Sequence, residues 1–135
     1  IQELVKMDKK EEEKLLREAE KVLPRAYAPY SNYRVAAAIS TEDGKIFTGV
    51  NVENASYGLT ICAERAALFA AVSAGYRSFS HLVILSDGNG TVPYPCGACR
   101  QVLMEFSPDL GITVTRDKDR LIRISLRELL PYAFG

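Results

Sequence analysis

The chain reads as an α/β layer sandwich built on a mixed sheet, and three observations carry that reading. Short β-type apolar runs are interspersed with helix-type periodic segments along its 135 residues. A glycine-bearing turn early in the chain joins two strands into a hairpin, so part of the sheet is antiparallel. A strand, helix, strand, helix, strand order follows, which favours parallel neighbours in the middle. At this length the residues 1–135 make one domain, and a hydrophobic content of 47% is ample for its core.

The elements follow in order. Residues 8–28 form an amphipathic helix, with Leu15, Leu16, Ala19, Val22, Leu23 and Ala26 on one face and charges opposite. Its opening run, Lys9-Lys10-Glu11-Glu12-Glu13-Lys14, mixes signs and reads as a solvated face. Pro24 kinks or shortens the helix. Residues 34–40 are a strand, Thr41-Glu42-Asp43-Gly44-Lys45 is the hairpin turn with Gly44 supplying a positive φ, and residues 46–53 return. Residues 61–74 are rich in helix formers and stop at Gly75. The run beginning at His81 makes a buried strand over 80–86, where a lone histidine is packing or surface rather than a metal ligand. Pro95 precedes a helix through Phe106, with Val102, Leu103 and Phe106 at helical spacing. Residues 111–116 and 121–124 are two further strands around the polar turn Asp117-Lys118-Asp119. Residues 126–130 form a short helix ended by Pro131.

Composition removes several classes of function. Basic and acidic residues balance at 17 each, and no basic patch offers a grip on nucleic acid. No apolar stretch is long enough to span a membrane, and no secretory apolar region opens the chain. Three cysteines cannot all pair, which argues for a reducing compartment, the cytoplasm.

Those cysteines fall in two clusters, Cys62-Ala63-Glu64 and Pro95-Cys96-Gly97-Ala98-Cys99. Each opens a helix, where unpaired N–H groups and the helix dipole favour the thiolate that binds metal. Cys96 and Cys99 are three residues apart, so one helical turn can aim both at one ion, and Gly97 lets the backbone approach closely. Zinc prefers four ligands, and three protein donors leave one position for water, which becomes acidic near neutral pH. Glu64, two residues after Cys62, ties a carboxylate to that site as a general acid and base. Three buried packing cysteines, a Cys-x-x-Cys redox pair or a closed structural site are the competing readings. The redox pair leaves Cys62 and Glu64 without a role, and the closed site lacks a fourth donor.

Asn51 and Glu53 alternate with Val50 and Val52, so in a strand the two polar groups share one face and the valines point into a core. The pair suits two hydroxyls on adjacent carbons, although an exposed polar face of an edge strand is the simpler reading from spacing alone. The loop 54–60 leads straight to Cys62 and is expected to form a pocket wall.

The segments Asn51-Val52-Glu53-Asn54-Ala55, Cys62-Ala63-Glu64-Arg65 and Pro95-Cys96-Gly97-Ala98-Cys99-Arg100-Gln101 resemble the short, homotetrameric cytidine deaminases. Pro29-Tyr30-Ser31-Asn32-Tyr33 and Glu128-Leu129-Leu130-Pro131 extend the resemblance from about residue 15 to the end of the chain. It implies a three-layer α/β/α sandwich around a mixed five-stranded sheet. It also implies zinc-dependent hydrolysis of free cytidine and 2′-deoxycytidine to uridine and 2′-deoxyuridine with release of ammonia, a step of pyrimidine salvage. By the same resemblance Cys62, Cys96 and Cys99 hold Zn²⁺, Glu64 shuttles the proton, and Arg65 donates hydrogen bonds to the ligand sulfurs. Asn51 and Glu53 hold the ribose. Ala55, Tyr57 and Phe134 serve a neighbouring subunit's pocket, with a core plug as the other role for Phe134. The family usually has Phe where Tyr33 stands and Gly where Ala36 stands, departures that bear on pocket size and substrate preference. Tyr33 keeps a ring that stacks on a pyrimidine. A deaminase of a related cytosine nucleoside antibiotic and a non-catalytic zinc-stabilised binding module are the alternatives.

Overall fold

A computed structural model describes residues 8–87, 92–116 and 120–134. One mixed sheet organises it. Strands β1 (Val35–Thr41), β2 (Ile46–Val50), β3 (Phe79–Ser86), β4 (Gly111–Thr115) and β5 (Ile122–Ser125) lie in the order β2-β1-β3-β4-β5. β1 and β2 form the expected hairpin, with Ala38 opposite Thr48, and Gly44 takes φ +91° in its turn. The expected parallel neighbours are β3 and β4, in the register Val83 to Thr113. β2 and β3 also run the same way but do not touch, because β1 lies between them and pairs antiparallel with both. The turn expected at 117–119 lies outside the described residues.

Helix α1 (Lys9–Val22) covers one face of the sheet, and α2 (Ala63–Ser73), α3 (Gly97–Phe106) and α4 (Leu126–Leu129) belong to the other, giving the three layers. The alternation of β1 divides its residues between two cores. Ala36 and Ala38 pack with Leu15, Leu16 and Ala19, whereas Val35, Ala37 and Ile39 pack with Ala63, Ala67 and Leu68. Ala36 therefore fills the α1 layer. Its extra methyl does not reach the α2 side, where the thiols lie, so this departure does not set pocket size.

Helix α1 starts at an Asp8 cap, whose side chain accepts from the Lys10 N–H, and ends at Val22 with a 3₁₀ turn Leu23–Arg25 around Pro24. Its charged opening is not wholly solvated. Glu12 is 2% exposed and takes a bidentate ion pair from Arg123 of β5, Nε to Oε2 at 2.8 Å and the second nitrogen to Oε1 at 2.6 Å. Thr113 donates to Oε2 at 2.6 Å, and His81 Nε2 lies 2.8 Å from the Thr113 hydroxyl. With that hydroxyl's proton given to Glu12, His81 must be the donor, which puts its proton on Nε2. His81 is thus a buried core histidine, the packing role rather than the surface one that the sequence also left open.

Helix α2 sits hard against β2. A Cβ built on Gly49 would lie 2.4 Å from the Ala67 nitrogen and 2.6 Å from the Ala63 oxygen. Only glycine permits that approach, and it fixes the depth of the helix that follows Cys62.

Candidate metal centre and active site

Two helix starts meet at one end of the sheet. Cys62 is the N-cap residue of α2 and Cys96 that of α3, each with extended backbone, and Cys99 lies in the first turn of α3. Extended backbone at a cap lets the side chain leave the helix axis. The sulfurs of Cys62 and Cys96 are 3.7 Å apart and those of Cys96 and Cys99 are 3.4 Å apart. All three lie within 4.8 Å of one another. Cys99 is buried, Cys62 half-buried and Cys96 exposed, and none forms a disulfide.

Charge on these thiols is uneven. A hydrogen bond from Cys99 holds Cys62 down at about 5, against the opposing effect of burial, with help from Arg65 and Cys96. The same bond pushes the Cys99 thiol up. Arg65 donates to the Cys62 sulfur at 3.6 Å, so it is not an ordinary solvated helix residue. Its Nε is buried with no hydrogen-bond partner among the described residues.

Glu64, in the first turn of α2, is 5% exposed. Burial pushes its carboxyl up to about 7, and the negative Cys62 adds to the rise. It lines a cavity of about 190 Å³ with Cys62 and Cys96. Asn51, Thr60, Tyr33 and Val35 form other walls, and Pro93 and Tyr94 close the side next to Cys96. Nothing in the spacing of the sequence singles out Pro93 or Tyr94. Their position directly before the Pro95-Cys96 turn is the only signal. A larger surface cleft of about 490 Å³, lined in part by Met104, Arg127 and Phe134, contains no thiol.

The expected return strand does not run as far as Glu53. β2 ends at Val50, because Asn51 turns its amide to the backbone of the entering chain. Its Oδ1 accepts from the Val35 N–H and its Nδ2 donates to the Tyr33 carbonyl, both at 2.9 Å. Two of the amide's four hydrogen-bonding positions are thereby used. Val52 bridges Tyr27 and Ile61 and is exposed rather than in a core. The Glu53 carboxylate holds the loop before β1, accepting from the backbone of Tyr30 at 2.9 Å and Ser31 at 3.1 Å and from the Ser31 hydroxyl. The Ser31 hydroxyl, foremost, keeps its carboxyl below the usual carboxylate range.

Glu53, Ala55, Tyr57 and Phe134, all expected at a pocket, do not line the cavity beside Cys62 and Cys96 in the single chain. Ala55 is exposed, Tyr57 is 92% exposed in a 3₁₀ turn, and Phe134 is 87% exposed. Exposure on that scale removes the core-plug role for Phe134.

The donor set fits zinc. Three soft sulfur donors converge at two helix N-termini, a cation touches one of them, and a carboxylate stands in the cavity that two of them line. Comparison with known proteins agrees. The family model for the cytidine and deoxycytidylate deaminase zinc-binding region matches residues 9–114. A probable cytidine deaminase of Dictyostelium discoideum is 47% identical over 129 residues, covering 96% of this chain and 87% of that protein. The cytidine deaminase of Sporosarcina psychrophila is 46% identical over 91% of this chain and 90% of its own. The crystal structure of cytidine deaminase from Burkholderia pseudomallei superposes with a TM-score of 0.85 at 47% identity, covering 90% of this chain and 98% of that one. With that family model matched over most of the chain and these relatives covering nine-tenths of it or more, the chain belongs to the zinc-binding cytidine and deoxycytidylate deaminase family.

Proposed function

We propose that this chain is a cytidine deaminase that hydrolyses free cytidine and 2′-deoxycytidine to uridine and 2′-deoxyuridine and releases ammonia. One observation carries the reading: a buried glutamate with a raised pKa shares a cavity with two members of a three-sulfur cluster. Cys62, Cys96 and Cys99 would hold the zinc, which when bound supplies Lewis-acid activation of water near neutral pH. Glu64 accepts a proton from the attacking water and delivers it to N3 of the cytosine ring while the oxygen adds to C4. Glu64 then takes the proton of the new C4 hydroxyl and passes it to the exocyclic amino group, the C4–N bond breaks as the C4=O bond forms, and ammonia leaves. Arg65 offsets the charge of the thiolates.

Tyr33 and Asn51 line the same cavity, whereas the part given to Glu53 rests on the family resemblance. Tyr33 presents a ring for the pyrimidine, and Asn51 and Glu53 orient the ribose. Asn51 retains one N–H and one lone pair beyond its two backbone bonds. The exposure of Ala55, Tyr57 and Phe134 supports a homotetramer in which these residues complete a neighbour's pocket. Among the described residues no helix is long and apolar enough to cross a membrane. Three free thiols support a reducing location, the cytoplasm, where a pyrimidine salvage step belongs.

Turnover across cytidine, deoxycytidine, cytosine and a cytosine-type nucleoside antibiotic, followed by loss of the cytosine absorbance band, tests the proposal. Catalytic loss with both nucleosides and one ammonia per molecule consumed is the expected result. A zinc-loaded protein inert on both nucleosides would contradict it. Sedimentation tests the assembly: a stable, fully active monomer would refute the shared pocket.

A further inference from the structure

Each sulfur at the metal centre must be aimed by the protein, and the three are aimed differently. Cys99 is fully buried inside α3, so packing fixes it. Cys62 is half-buried and receives a hydrogen bond from Arg65. Cys96 is exposed at the start of α3 and makes no side-chain capping bond. Its direction rests on the two peptide planes that flank its Cα, since those planes set φ and ψ and hence where Cβ points.

Arg100 holds both of them. Its Nε donates to the Pro95 carbonyl at 2.7 Å, which fixes the plane before Cys96. Its own backbone N–H donates to the Cys96 carbonyl at 2.9 Å, which fixes the plane after it. One terminal nitrogen of the same guanidinium donates to the Leu129 carbonyl at 2.9 Å, at the end of α4. The planar fork is therefore braced at its far side by another element, and its orientation is not free. A lysine at this position would offer one point donor and lose the fixed angle between the two bonds.

We infer that Arg100 is a positioning residue for the metal centre, aiming the exposed sulfur of Cys96 by holding the peptide before it with a guanidinium braced on the end of α4, while the helix backbone holds the peptide after it. The inference rests on reading Cys96 as a zinc ligand. Residues that orient metal ligands typically contribute ~10–100-fold in metal affinity.

The test uses zinc-loaded protein and follows zinc release to excess 4-(2-pyridylazo)resorcinol by colour. Arg100→Met keeps the stem and removes every guanidinium donor, and zinc release should be ~10-fold faster or more. The cobalt-substituted variant should also show a shifted thiolate-to-metal absorption band, a signature that reduced folding stability alone would not move. Arg100→Lys, the milder change if the Met variant does not fold, should release zinc ~3-fold faster or more. Arg127→Ala on α4 should release at the wild-type rate. Wild-type release rates and cobalt spectra in the Arg100 variants would overturn the inference. Cys96→Ser, run alongside, separates the two levels. Full zinc occupancy in that variant would refute the ligand assignment itself, whereas its loss of zinc beside wild-type behaviour of the Arg100 variants would sink only the positioning role.

Discussion

Glu64 and Glu12 are both buried, on opposite faces of the same sheet, and their environments push them in opposite directions. Glu12 faces the α1 layer, where burial alone would raise its pKa. The hydrogen bonds from Arg123 and Thr113 and the Arg123 charge outweigh that, and the carboxyl ends below its ordinary value. Glu64 faces the cavity on the α2 side, where burial raises its pKa and the negative Cys62 adds to the rise, and it ends at about 7. A buried carboxylate with its hydrogen bonds satisfied is structural. One held in a cavity beside donor sulfurs is poised to exchange protons near neutral pH.

The largest effect that sharpens this contrast is Glu64→Gln. It should lower kcat by at least ~10²-fold, the usual floor for a general acid and base, while zinc content by elemental analysis stays at the wild-type level. Near-wild-type turnover would remove Glu64 from its role. Glu12→Gln should do the reverse. Removing one partner of a buried pair costs ~3–5 kcal/mol. Arg123 is 40% exposed and recovers water contacts, so the loss should be about 2–3 kcal/mol. Urea unfolding should register it, with kcat of the folded enzyme unchanged.

Acid should expose the α1 side next. His81 is buried neutral, and burial pulls its pKa down to about 3. The unfolded chain takes up that proton below about pH 6.5. The folded chain does not until pH nears 3, so stability from this residue is complete above about 6.5 and lost as pH falls. Linkage gives a loss of about 2 kcal/mol between pH 7 and pH 5, measurable as a drop in urea midpoint. His81→Gln should flatten that dependence. Glu12 adds a loss of the same sign at lower pH, below its ordinary value. The smallest effect belongs to the exposed pair Arg127–Asp109. Arg127→Ala should change stability by less than ~1 kcal/mol.

The metal side was more legible in the sequence than the α1 side. Cys62, Glu64, Cys96 and Cys99 are local features, each within a few residues of a helix start that propensity and capping rules already mark. The burial of Glu12 is not local. It depends on Arg123, 111 residues away, and nothing in a run of mixed charges says which member finds such a partner. Asn51 misleads for a related reason. Strand alternation predicts a shared polar face with Glu53, but its amide bonds Val35 and Tyr33, 16 and 18 residues away, and the strand stops at Val50. The place of Pro93 and Tyr94 in the cavity wall follows from the turn into α3, a geometry with no periodic signature.

The central claim is a zinc ion held by three cysteines with one position left to a light atom. X-ray absorption at the zinc edge on the purified protein measures that directly. The account predicts three sulfur scatterers at about 2.3 Å and one oxygen or nitrogen scatterer per zinc. Four sulfurs, or fewer than three, would contradict it.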